Sequence, residues 1–474
     1  MKSALQVMKF GGTSVGGAAC ITRAAQIIAE GARAGKCVAV VSAMSGVTNR
    51  LIEAARTAQS GNAPAALGIL DELAAKHEST LATVVKNEAE RAKVAQKMKE
   101  VLGEGRRFCE GTALLRELSP RTLDTISSLG ERLSAPMVSA AVRELGLASE
   151  PVEATELIVT DEFHGGADPL MKETRLKSQA RIFPLLEKGI VPIVTGFIGA
   201  TRDGQLTTLG RGGSDYSATI LGAALDATDV IIWTDVDGVL TADPRLIGEA
   251  RTIAKITYRE AAELAFFGAK VLHPKTLKPV MEAAIPVWIR NSFAPEKRGT
   301  EITPKGGHNG GVKALTAIRD VTLISLGGPG IVGLPDVVGR TFSTIAETRA
   351  NVLLISQSSS QNDICFIVSS ADSERAIEAL RKEFAQDLKH EKVEHITVDP
   401  NIAIVAVVGE NMRGTPGIAG RTFQALGKEN VNIIAIAQGS SETNISFVIE
   451  EKDVKKALLA THREFGLDLG KSEK

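Results

Sequence analysis

The chain has 474 residues, with 55 Lys plus Arg against 56 Asp plus Glu, a formal net charge of −1, 44% hydrophobic residues and 23% charged residues. That length suits about three domains of roughly 150 residues, and the composition excludes a disordered chain and a basic nucleic-acid binder. Only 4% of residues are aromatic while glycine numbers 45, a mix that fits α/β layers joined by tight turns and excludes a fibrous or all-β protein.

Cys20, Cys37, Cys109 and Cys365 form no CxxC pair, so a reducing, cytoplasmic setting is expected. No window approaches ~18 uninterrupted apolar residues and the N-terminus has no cleavable signal pattern, so neither membrane nor nucleic acid is expected as a partner. The seven histidines are scattered. They are expected at the surface, with no structural metal.

Taken in order, the first predicted strand runs into 9-KFGGTSVGG-17 and then a helical pattern, placing Gly11 and Gly12 at a strand-to-helix turn with free amides for an anion. The lysine precedes the glycines, unlike the GxxxxGK[ST] loop, and a plain tight turn is the alternative. A buried strand, 37-CVAVVSAM-44, ends in 42-SAMSGVTN-49, whose Ser42, Ser45 and Thr48 hydroxyls can bind a small polar ligand. Residues 61–118 are rich in Ala, Glu, Lys and Leu and are expected to form two or three amphipathic helices without chemistry. A helix start at 127-SSLGERLSA-135 presents Glu131, which could receive an ammonium group; taken alone, this loop and the previous one read as capped turns before they read as a site.

Further strands are predicted at 190-IVPIVTGFIGA-200, 229-DVIIWTDVDGVL-240 and 285-IPVWIRNS-292, giving a largely parallel sheet covered by helices. Between them, 208-TLGRGGSDYSAT-219 combines Arg211, Gly212, Gly213, Ser214 and Asp215 just before a helix. Ser214 or Asp215 can cap that helix, and Arg211 offers a fork to a carboxylate or phosphate. The run 233-WTDVDGVLTADPR-245 ends a strand in Asp235 and Asp237, a metal pair or a solvated Asx turn, and Lys270 sits in 268-GAKVLHP-274.

The Gly-rich stretch 303-TPKGGHNGG-311 reads as a linker. Beyond it the chain repeats: residues 339–368 lie without gaps on 420–449, with 11 of 30 positions identical at a shift of 81. Each copy is predicted as a β-α-β-β unit starting at 321-VTLISLGG-328 or 402-IAIVAVVG-409.

KFGGTSV, SAMSGVTN, SLGE, TLGRGGSDYSA, WTDVDGVLTADPR and GAKVLHP occur in the order and approximate spacing of aspartate kinases, in the amino-acid kinase superfamily, and the repeat resembles the tandem ACT domains that end those enzymes. The resemblance implies an α/β amino-acid kinase fold over residues 1–305, a linker at 306–314, and ACT domains at 315–395 and 396–474, with strands exchanged between the two. It implies transfer of the γ-phosphoryl group of MgATP to the β-carboxylate of L-aspartate, giving 4-phospho-L-aspartate for lysine, threonine and methionine biosynthesis. By position in the motifs, Lys9 should contact the transferring phosphate and Asp215 should orient lysines or the metal shell. Arg211 should clamp a carboxylate of aspartate, with Ser42, Thr48, Gly212, Gly213 and Ser214 nearby, and Glu131 should take its α-ammonium.

The same resemblance gives Lys9, Phe10, Gly11, Gly12, Thr234, Asp235, Leu240, Arg245, Lys270 and Val271 to the nucleotide, with Mg²⁺ held mainly on its phosphates and no dedicated protein metal site. Asn351, Ile355 and Gln357, with their repeat equivalents Asn432, Ile436 and Gln438, should bind an end-product amino acid, threonine favoured over lysine, within a homodimer or homotetramer built on the ACT domains. No homoserine dehydrogenase half is expected after the second ACT unit. The competing readings are a kinase for another small carboxylate and an inactive ACT-based sensor, the latter disfavoured by the intact Lys9, Arg211, Asp215 and Lys270.

Overall fold

A computed structural model describes residues 4–268, 272–305, 311–328, 335–357, 363–412, 415–439 and 443–469. Contacts divide them into two compact units, the first comprising 4–239, 252–262 and 272–305. Its chain runs β1 (Leu5–Phe10), α1 (Ala18–Ala34), β2 (Lys36–Val41) and α2 (Val47–Gln59), then the long α3 (Ala63–Val84) and α4 (Glu88–Leu115). Next come α5 (Pro120–Ser127), α6 (Leu129–Glu144), β3 (Ser149–Val152), α7 (Met171–Glu187), β4 (Val191–Thr195), and a hairpin of β5 (Ile198–Ala200) and β6 (Leu206–Thr208). After α8 (Gly213–Ala224) follow β7 (Asp229–Thr234), β8 (Lys255–Thr257), α9 (Tyr258–Phe266), α10 (Pro274–Glu282), β9 (Val287–Asn291) and β10 (Thr300–Thr303).

The main sheet has eight strands in the order β3-β4-β2-β1-β7-β9-β10-β8. All neighbours run parallel except β9 and β10. Burial follows from this topology: with helices on both faces, β2 buries Cys37 to Val41 without alternation. Helix α1 packs a stripe of Ile21, Ala24, Ala25 and Ile28, spaced at three and four residues. The excursion at 61–118 consists of α3 and α4, each started by an asparagine: Ala65 N–H donates to Asn62 Oδ1 and Glu90 N–H to Asn87 Oδ1. Because the parallel strands point the same way, the loops after β1, β2, β4, β7 and β9 all open at one edge of the sheet. In open α/β sheets that edge is where ligands bind.

The second unit contains 240–251, 263–268 and the described residues from 311 onward, so two stretches expected in the catalytic domain group here instead. Its elements are β11 (Ala314–Gly327), α11 (Pro335–Thr348), β12 (Val352–Gln357), β13 (Asp363–Ser369), α12 (Ser370–Glu383) and α13 (Ala385–Lys389), then β14 (His395–Val408), α14 (Ile418–Lys428), β15 (Ala435–Ala437), β16 (Asn444–Glu450) and α15 (Val454–Glu464). The sheet order is β12-β13-β11-β14-β16-β15.

The strands β11 and β14 are longer than the repeat suggested, and each serves both copies. Residues 314–318 of β11 pair with 404–408 of β14, and 324–327 pair with 395–398, with irregular register between. β13 pairs only with the later half of β11, and β16 only with the later half of β14. The first ACT module is therefore inserted into the second, which takes a strand from residues 314–318. The repeat persists in side-chain detail. Arg340 pairs with Glu383 and lies 4.5 Å from the Phe384 ring centroid, while Arg421 pairs with Glu464 and lies 4.6 Å from that of Phe465.

Two histidines depart from the surface expectation. His77 and His462 are fully buried, and burial pushes both imidazoles below their ordinary value. His462 Nε2 lies 2.9 Å from Thr241 Oγ1, and the Leu315 N–H donates to the Thr241 carbonyl, so segment 240–251 is tied to α15 and β11. Among the described residues, no helix is long and apolar enough to cross a membrane.

Candidate active site

The centre of the site is an ion pair between Lys9 at the end of β1 and Asp215 in the first turn of α8, with Nζ and Oδ1 2.5 Å apart and both side chains largely buried. The ammonium stands over the Gly11 backbone two residues on: a Cβ on Gly11 would lie 3.1 Å from it. The Gly11 amide itself is not free, correcting the expectation for this turn. It donates to the Trp233 carbonyl at 3.2 Å, because β1 and β7 are neighbours and the ladder continues one residue past the strand. Ser14 Oγ adds a bond to the same carbonyl, leaving Gly12 as the open amide of the pair among the described residues.

Glu131 enters from α6. It is 3% exposed, and its Oε2 has no hydrogen-bond partner among the described residues. Burial pushes its carboxyl up to about 8, opposed by the amides of Ala43 and Glu131 itself and by the charge of Lys9. The close approach needs Gly130, whose hypothetical Cβ would stand 2.6 Å from Ala43 Cβ in the loop after β2. That loop carries Ser42, whose amide donates to the Phe10 carbonyl, and it turns at Gly46 with φ +80° into α2, placing Thr48 in the first turn.

The cap of α8 also differs from the sequence reading. Gly212 occupies it with φ +70° and no side-chain cap bond forms, so Ser214 and Asp215 fall inside the first turn and keep their side chains for other partners. A side chain at Gly212 would meet His273 Cβ at 2.9 Å, and one at Gly213 would meet Phe197 Cδ2 at 2.6 Å. Ser214 lies directly against Gly196, whose Cβ would come 2.8 Å from Ser214 Oγ. Arg211 is exposed, and its charge, with that of Lys275, adds to burial in holding the His273 imidazole below its ordinary value.

Phe10 is fully buried, with its ring centroid 6.2 Å from that of Trp233; it supports β1 from the core side. Thr234 and Asp235 end β7, the hydroxyl of one donating to the carboxylate of the other at 3.2 Å. Asn291 Nδ2 and Lys297 Nζ each reach Asp237 at 2.6 Å, fastening the loop to the end of β9. Leu240 and Arg245 fall in the second unit, where Arg245 pairs with Asp243. Lys270 and Val271 lie outside the described residues.

The candidate effector residues occupy facing strand edges of the second unit. Ser356 Oγ on β12 comes within 3.5 Å of the Ile436 carbonyl on β15, and Ile355 and Ile436 are 51% and 45% exposed. Gln357 on β12, Asn351 just before it, and Asn432 and Gln438 on either side of β15 are exposed nearby.

Sequence reading missed Phe197, a non-glycine residue held at φ +70° between β4 and β5, whose amide donates to the Ser217 hydroxyl oxygen and whose carbonyl accepts from the Leu209 amide. It also missed the buried Asp124 behind the Arg211 loop. Neither had a local signal, since both are defined by partners distant in sequence.

Comparison with known proteins adds independent findings. The pattern of the amino acid kinase family matches residues 4–291, and that of the ACT domain matches 324–384 and 405–465. The chain is 37% identical over 468 residues to the chloroplastic bifunctional aspartokinase/homoserine dehydrogenase 2 of Arabidopsis thaliana, covering 97% of this chain and 50% of that protein. It spans about half the length of the bifunctional plant relatives it matches. Against Aspartokinase 1, chloroplastic, of the same plant it is 33% identical, covering 97% of this chain and 80% of the relative. The crystal structure of E. coli aspartokinase III with aspartate and ADP superposes with a TM-score of 0.80 at 30% identity, covering 97% of this chain and 99% of that one. The lysine and aspartate complex of the same enzyme gives 0.82 at 29% identity, with the same coverage.

Proposed function

The chain belongs to the amino acid kinase family and, within it, to the aspartokinases, and from that premise we propose that it transfers the γ-phosphoryl group of ATP to the β-carboxylate of L-aspartate. The observation that carries the substrate side is Glu131 Oε2, a buried carboxylate oxygen with no partner among the described residues, where an α-ammonium would supply both the missing hydrogen bond and the missing charge. Arg211 clamps a carboxylate of the same molecule, with Ser214, Thr48 and Ser42 as hydroxyl donors and the Gly212–Gly213 turn allowing close approach. Lys9 lies between the two substrates.

The chemistry asks mainly for positioning and charge neutralisation. A carboxylate nucleophile is already ionised near pH 7, so no base is required. Two unit charges of like sign at 4 Å repel by about 4 kcal/mol at an effective dielectric of 20. Lys9 offsets part of this repulsion as the anions meet, and Asp215 holds its ammonium in place. The Gly12 amide adds a fixed dipole, and Thr234 and Asp235 border the nucleotide, with Lys270 and Val271 assigned there by motif alone. The donor set fits a magnesium ion that arrives on nucleotide phosphates: no three His, Cys, Asp or Glu side chains converge among the described residues, while such an ion needs only one or two carboxylates, and Asp215 and Asp235 are available. Bound there, the ion would neutralise phosphate charge.

The exposed Ile355 and Ile436, with Gln357, Gln438, Asn351 and Asn432, form the proposed effector site for an end-product amino acid. E. coli aspartokinase III was crystallised with lysine; for this chain the paired glutamines favour threonine, whose hydroxyl can both donate to and accept from an amide. The placement of the reaction in lysine, threonine and methionine biosynthesis, and a homo-oligomer built on the ACT modules, belong to the same proposal. Trapping with hydroxylamine tests the reaction directly. Aspartyl hydroxamate that requires both MgATP and L-aspartate is expected; its absence from folded protein would reject this substrate.

A further inference from the structure

Asp124, in the last turn of α5, is 2% exposed, and one carboxylate there gathers four donor groups. His164 Nδ1 lies 2.9 Å from Oδ2, and the Gly165 amide reaches both oxygens at 3.0–3.1 Å. The Thr208 amide donates to Oδ2 at 3.2 Å and its hydroxyl to Oδ1 at 2.5 Å. Thr208 ends β6, and its carbonyl accepts from the Ala167 amide, so it is gripped on both sides. The next residues are Leu209, Gly210 and Arg211. Gly210 needs its missing side chain, since a Cβ there would meet the Gly165 carbonyl and Gly166 Cα at 3.2 Å.

Asp124 touches none of Lys9, Arg211, Ser214 or Asp215 through any described hydrogen bond, yet it fixes the strand end from which the loop carrying Arg211 departs towards the first turn of α8, where Ser214 and Asp215 lie. Glu131 lies in the first turn of the following helix, seven residues later. The ammonium acceptor and the root of the Arg211 loop are thus joined through one short helical segment. We infer that Asp124 is a positioning residue that sets the span between Glu131 and Arg211, and with it the fit of a small amino-dicarboxylate. This inference rests on the substrate class proposed above. A carboxylate suits the task because it has acceptor sites for all four donors, whereas an amide at the same place would turn its own N–H groups towards donors.

Thr208→Val removes one hydroxyl at constant volume and leaves Asp124 in place, so it serves if Asp124→Asn fails to fold; Thr208→Ser restores the hydroxyl. Two measurements decide. In steady-state kinetics, KM for L-aspartate should rise about 10- to 100-fold in Thr208→Val, about the worth of one hydrogen bond to a charged group, while KM for ATP stays within about twofold and Thr208→Ser returns the aspartate constant towards wild type. Amide hydrogen exchange, run without substrate, should quicken in Thr208→Val over residues 208–213 and not in β1 or β2. Unchanged exchange in the loop, or parallel rises in both KM values, or a serine variant no better than valine, overturns the inference. Because the exchange measurement needs no turnover, it judges the clamp even where wild-type protein forms no aspartyl hydroxamate, the outcome that rejects the substrate reading instead.

Discussion

At the scale of single residues, the site turns on two charged groups in unlike surroundings. Lys9 and Asp215 neutralise each other, and replacing either by alanine should lower kcat by about 10²–10³-fold or more with the fold retained, read by coupled assay and circular dichroism. Glu131 keeps one oxygen without a partner among the described residues, and burial pushes its carboxyl up to about 8. Only the ionised form complements an ammonium group, so kcat/KM for L-aspartate should climb as pH rises towards 8, and Glu131→Gln should abolish that limb. The stability sign is opposite. Between its ordinary value and about 8 the native state holds a proton that the unfolded chain has released, so folding weakens as pH rises across that window. Glu131→Gln should therefore melt higher than wild type at pH 8, and the difference should shrink towards pH 4.5. The sequence singled out Lys9, Glu131, Arg211 and Asp215 as candidates because each sits in a short motif with a mechanism. Asp124 and Phe197 were silent: the partners of Asp124 lie 40 and 84 residues away, and the positive φ of Phe197 is imposed by β5, Ser217 and Leu209.

Elements were legible where periodicity was strong. The alternation of apolar runs and amphipathic helices gave the parallel sheet, since strands buried on both faces lose the polar half of their pattern. What escaped was how element ends are finished. The expected caps of α8 were hydroxyl and carboxylate, yet the chain uses Gly212 in a left-handed turn because His273 occupies the space a side chain would need. Close helix contacts are equally hidden in a sequence. Gly130→Ala would drive a methyl onto Ala43 and Val47, at an expected cost of about 1–3 kcal/mol. Denaturant unfolding should show that loss, and KM for L-aspartate should rise with it because the same turn of α6 carries Glu131.

For the molecule as a whole, the repeat announced two related modules, and the structure adds contacts that recur at a shift of 81 beyond the repeated stretch, such as Arg340–Glu383 and Arg421–Glu464. It did not reveal that β11 and β14 each serve both modules, because identical local patterns do not say which copy a strand joins. Gln438→Ala should weaken inhibition by the effector, shifting the half-inhibitory concentration upward several-fold, about the size of one lost hydrogen bond to a buried ligand, with uninhibited turnover intact. An unmoved inhibition curve would remove Gln438 from the effector site.

The insertion of one ACT module into the other also has a temporal side. Residues 314–318 are synthesised roughly 90 residues before the β14 segment that pairs with them, a delay on the order of ten seconds at ordinary translation rates. Through that interval the inner module can complete itself while the outer one keeps an apolar strand waiting with unpaired amides. A neighbouring nascent chain offers the same complementary strand at the same moment, so on a crowded polysome the two modules that share a backbone also share an opportunity to swap it.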